Sequence, residues 1–121
     1  MNNATKDDFD LNKVKASIVE CAKVAGKSES SLKQSDFDDW HNDYSKSWQM
    51  RFMYDLQCLQ RSISLVDDAL VQKELATVDD ALRGAVLHSS SLASTFEYIT
   101  NDLMHLRHVL RDARIDNKSD H

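Results

Sequence analysis

The chain contains no proline and only two glycines, Gly26 and Gly84, in 121 residues. Sheets need turn residues every few positions, whereas long helices need almost none. This scarcity of breakers favours helix before any pattern is read. The length suits a single domain with a core that needs no staples. With 41% hydrophobic and 29% charged residues, the chain is ordinary for a folded protein.

Apolar periodicity divides the chain. Leu11, Val14, Ile18, Cys21 or Ala22, and Ala25 recur at helical spacing, which predicts a first helix over about 10–25. Asp8 or Asp10 can cap its start, and Gly26 suits its left-handed end. The polar, serine-rich stretch 27–34 reads as a loop. Ser35 and Asp38 then form a capping pattern. It precedes Phe37, Trp40, Tyr44, Trp48, Phe52, Leu56, Leu59, Ile63, Val66 and Leu70, all three or four apart. The spacing predicts one unusually long helix over about 35–71, roughly 50 Å at 1.5 Å per residue. A bend near Ser45–Ser47 is the alternative to an elongated molecule.

Thr77 with Asp80 marks the start of a third helix, and His88–Ser91 reads as a break or kink after it. Ser94 with Glu97 opens a fourth, whose Phe96, Ile99, Leu103, Leu106, Leu110 and Ala113 make an apolar seam. Leu103 and Leu106 are expected to be buried in it. The expectation is all-α: an antiparallel bundle of three to four helices forming one domain over 1–121, with 1–8 and 116–121 disordered.

The formal charge is -5, from 20 acidic and 15 basic residues. That balance argues against general nucleic-acid binding, which leaves a basic footprint. No apolar stretch approaches a membrane span, and the polar start lacks the build of a signal peptide, so a cytoplasmic location is expected. Cys21 and Cys58 read as half-buried free thiols.

Some residues invite a functional reading. Trp40, Tyr44 and Trp48, among Asp36, Asp38, Asp39 and Asp43, suit core packing or a partner-binding patch that seats a second copy or another, obligate partner protein. Arg107, Arg111 and Arg114, at i, i+4 and i+7, form a basic stripe. It can complement the helix dipole or dock an acidic surface. His105 and His108 have a spacing that can serve a metal, but the Glu-x-x-His pairs of helical di-metal sites are absent. No metal or other cofactor is expected.

Two resemblances stand beside this reading. Arg83 and His88 resemble the Arg-x4-6-His pattern of the helical HEPN ribonucleases, in which such a pair would act on the RNA backbone. The polar residue usual after the arginine is here Gly84. The stretch 52–85 is similar to histidine phosphotransfer domains: Ala69 and Leu70 end one segment, and Asp80, Ala81, Leu82, Arg83, Gly84 and Ala85 fill the signature. Asp80 replaces the phosphorylated histidine, which removes the phosphoryl acceptor. That resemblance implies an inactive signalling module.

With no phosphate loop, Cys-x-x-Cys pair or defensible Ser–His–Asp order, the leading expectation is a non-enzymatic protein-interaction module. It would act as a small regulator, inhibitor, immunity factor or chaperone, and as a homodimer.

Overall fold

The computed structural model describes residues 9–33 and 40–119, with side chains as far as Ile115. Its elements are α1 (Leu11–Val24), a 3-10 turn (Glu29–Ser31), α2 (Trp48–Val71) and α3 (Leu75–Ser119). The described residues are all-α, with three long helices and no strand.

α1 begins as its sequence dictates. The Asp10 carboxylate accepts the Asn12 amide at 2.9 Å. Leu11, Ile18, Val19 and Ala22 are buried, and Cys21 is exposed. Gly26 takes φ 90°, and the amides of Gly26 and Lys27 return to the carbonyls of Lys23 and Ala22. That is a Schellman end, which needs a left-handed residue where glycine stands.

The long helix expected over 35–71 begins instead at Trp48. Trp40 makes a single β-bridge, residues 41–47 run through bends and a turn, and 34–39, with Phe37 and the Ser35–Asp38 pair, lie outside the described residues. The turns hold because other residues satisfy their polar groups. Asp43 accepts both the amide and the hydroxyl of Ser45. The Trp48 ring N–H donates to the Asp43 carbonyl at 3.0 Å. Asn12 of α1 then caps α2: its Oδ1 accepts the amides of Trp48 at 2.9 Å and Gln49 at 3.3 Å. Gln49 reciprocates, its Oε1 accepting the Leu11 amide at 2.8 Å. Two helix N-termini thus satisfy each other's orphan donors.

α3 corrects the expectation of a break. It runs through Gly84, through His88–Ser91 and on to Ser119. Its start is Leu75, two residues before Thr77, whose hydroxyl instead donates to Glu74 at 3.3 Å. Between α2 and α3, Lys73 sits at φ 56°. The amides of Lys73 and Glu74 bond the carbonyls of Leu70 and Ala69, a second Schellman end.

The contacts resolve two compact units. One joins α1, the turns and the last part of α3, comprising residues up to Gln49 and from Tyr98 onward. Its interior holds Leu11, Ile18, Leu32, Trp40, Tyr44, Trp48, Ile99 and Leu106. Leu103, expected inside, is 43% exposed. The other unit, Met50–Glu97, is an antiparallel hairpin. Phe52 meets Phe96 edge-on at 5.8 Å, Asp55 meets Ser91, and Ser62 meets Gly84, which fixes the register. The buried seam residues of the hairpin are small or polar: Asp55, Ala69, Ala81 and Ala85. A Cβ at Gly84 would stand 2.8 Å from Ser62 Oγ. This seam lets two backbones approach closely, and it leaves the larger apolar side chains at its flanks.

Candidate interaction surface

In the first unit the aromatic residues surround a buried carboxylate. Asp102 is fully buried. It accepts the His41 amide at 2.6 Å, the Asn42 amide at 3.2 Å, the Asn42 side chain at 2.9 Å and the Tyr44 hydroxyl at 2.7 Å. Burial and the adjoining Asp102 carboxylate hold the Tyr44 phenol far above its ordinary pKa. Trp40 meets His105 edge-on at 4.5 Å, and Tyr44 meets Trp48 at 5.1 Å. Trp40, Tyr44 and Trp48 are only 6–7% exposed. Their faces are covered by their own chain, so they form no open patch.

Arg107, Arg111 and Arg114 are exposed. None makes an ion pair among the described residues. The stripe read from the sequence is therefore presented to solvent. His105 is half-buried against Trp40, and His108 is exposed. Among the described residues no group of three or more His, Cys, Asp or Glu could hold a metal ion.

In the hairpin, buried Asp55 accepts the Ser91 hydroxyl at 2.6 Å and meets His88 Nδ1 at 3.3 Å. A carboxylate in an apolar seam needs such partners, and one placed off-centre helps fix register. Both Ser91 and His88 turn to the carboxylate. This is not the arrangement of a serine nucleophile activated by histidine, where the serine would donate to the imidazole. Beside it, a hydrogen bond to Cys58 raises the exposed Tyr54 phenol above its usual value.

Arg83 pairs with Asp79 one turn back at 3.5 Å, while His88 turns to Asp55. The two residues of the ribonuclease-like pattern are thus engaged with different partners and are not brought together within the chain. Asp80, at the phosphotransfer-like position, is exposed on α3.

The flank of the hairpin is not evident from apolar spacing alone. Helical spacing puts Phe52, Asp55, Leu59, Ser62, Val66 and Ala69 of α2 toward Ala81, Ala85, His88 and Leu92 of α3. Leu56, Ile63 and Leu70 follow one flank of α2; Leu75, Leu82 and Val86 follow one flank of α3. Because both helices are right-handed and run antiparallel, these flanks lie on the same side. Ile63 is 45% exposed, Leu70 52%, Leu75 75%, Leu82 45% and Val86 65%. The opposite side also carries Tyr54, Leu65 and Leu87, but Arg61, Asp68 and Asp80 break them up. The missed signal was seven-residue recurrence: Leu56, Ile63, Leu70 and again Leu75, Leu82.

Among the described residues no helix is long and apolar enough to cross a membrane. Neither a protein-family model nor a curated protein matches the chain. The chain is similar to a crystal structure of a functionally unknown protein from Neisseria meningitidis MC58. The TM-score is 0.75 at 19% identity, over 82% of this chain and 88% of that one. At that identity the likeness shows a shared all-α fold alone.

Proposed function

We propose that the protein is a non-enzymatic interaction module, a small regulator, inhibitor, immunity factor or chaperone that works by covering a surface of another protein chain. The observation that carries this reading is the apolar side of the hairpin. Large apolar side chains stand exposed along one flank of two adjacent helices, while the residues buried deepest between them are Asp55, Ala69, Ala81 and Ala85. Contiguous apolar surface of this kind marks interfaces. The exposed Arg107, Arg111 and Arg114 add a basic surface suited to an acidic partner.

Site-specific photo-crosslinking tests the reading. With the crosslinker at Ile63 or Leu82, the full chain should give discrete protein adducts, and one at exposed Lys27 should give none. Equal labelling at all three positions would overturn it. RNA cleavage abolished by Arg83→Ala would instead make the protein a nuclease.

A further inference from the structure

We propose that the occupant of the apolar hairpin side is a second copy of the same hairpin, packed tip to base, so that two hairpins close a four-helix bundle. This inference rests on the interaction reading and names the partner at that site.

Three observations carry it. The first is area. Ile63, Leu70, Leu75, Leu82 and Val86 are 45–75% exposed. Together they present on the order of 500 Å² of apolar surface, at the upper end for a monomer and most of the roughly 800 Å² per partner of a stable complex. The second is shape. The register set by Asp55–Ser91 and Ser62–Gly84 puts Leu70 level with Leu75, and Ile63 level with Leu82. The apolar side is therefore a two-row strip of similar residues along the hairpin. Such a strip complements a copy of itself through a two-fold axis, and four helices bury flanks that two cannot.

The third is charge, and it selects the orientation. The hairpin tip carries Asp67, Asp68, Glu74, Asp79 and Asp80 against Lys73 and Arg83, the latter paired with Asp79. The base, around Arg51 and Glu97, is balanced. Tip-to-tip packing would bring two acidic ends together, and like charges across an interface are disfavoured. Tip-to-base packing separates them and sets each acidic end against the charge-balanced base of the other copy.

Sedimentation of the full chain, with the double variant Ile63→Glu/Leu82→Glu as comparison, tests the pairing. The expected result is a dimer at micromolar concentration, and a monomer for the variant with its helical circular dichroism retained. Both positions are exposed, so folding should survive; the milder Ile63→Ser/Leu82→Ser keeps the test usable if it does not. Spin labels at Gln72→Cys, with Cys21 and Cys58 changed to Ser, test the orientation. Tip-to-base packing sets the labels about 30 Å apart, the length of the hairpin at 1.5 Å per residue. A separation under about 15 Å would overturn the orientation. A monomer at high micromolar concentration that still crosslinks a different protein through Ile63 would overturn self-pairing and leave the interaction reading standing. A monomer without adducts would remove both.

Discussion

The Tyr44 hydroxyl donates a 2.7 Å hydrogen bond to Asp102, a residue 58 positions away that is fully buried. This bond ties the turns before α2 to α3, and it makes stability depend on alkaline pH. Burial and the carboxylate raise the phenol's folded pKa above its ordinary value, which is about 10 when unfolded. A raised folded value means that the stabilisation is complete below about pH 10. Above that, the unfolded chain releases a proton that the folded chain keeps, and about 1.4 kcal/mol is lost per pH unit until the folded value is reached. Urea denaturation of the protein and of Tyr44→Phe should show a gap at pH 7 that narrows by about 1 kcal/mol between pH 10 and 11. Tyr54 and Tyr98 are common to both proteins and cancel. A gap constant across that range would show that Tyr44 ionises freely in the fold.

Removing Asp102 should cost more than removing Tyr44. Asp102→Ala leaves the His41 and Asn42 amides and the Tyr44 hydroxyl without their acceptor. Each buried donor left without an acceptor costs about 1–3 kcal/mol. Because the two groups act together, Tyr44→Phe should cost much less in the Asp102→Ala background than in the parent protein. Equal costs in both backgrounds would mean that the bond contributes nothing to the fold.

α1 was legible in the sequence because every signal agreed: a capping aspartate, an apolar face and a glycine at the end. The start of α2 was not. Trp40, Tyr44 and Trp48 recur every four residues and mimic a helical stripe. The first two are not helical, and all three point inward because the chain wraps around Asp102. A carboxylate 58 residues away leaves no local trace. The continuity of α3 was hidden for the opposite reason. Gly84 and the serines at 89–91 look like breakers, yet Gly84 permits close approach to Ser62, and Ser91 is held by Asp55. The apolar flank was written in the sequence, but which flanks share a side depends on the hairpin register. Tertiary partners set that register.

The turn between α2 and α3 carries a strained residue. Lys73 stands at φ 56°, where a Cβ is costly and glycine is at ease. Lys73→Gly should therefore stabilise the hairpin, by about 1 kcal/mol less a few tenths for the added freedom of the unfolded chain. Thermal unfolding would read this as a rise of a few degrees. A fall would show that the Lys73 side chain contributes more than its backbone costs.

The last prediction concerns the closest approach within the hairpin. A methyl at Gly84 would meet Ser62 Oγ at 2.8 Å but Ser62 Cβ at 3.8 Å. The first distance is a clash and the second is ordinary contact. Two effects therefore oppose in Gly84→Ala: a helix-propensity gain of about 1 kcal/mol, and crowding that forces Ser62 into another rotamer or spreads the helices. The single variant should change stability little. Ser62→Ala removes only the oxygen, so in Ser62→Ala/Gly84→Ala the new methyl meets a Cβ at an unstrained distance. The double variant should then realise the propensity gain and exceed both single variants, with a favourable coupling on the order of 1 kcal/mol. Urea denaturation of the four proteins measures it. Strict additivity would mean that the two helices are not in close contact at this level, and the small-residue seam would then not explain why the large apolar side chains lie outside.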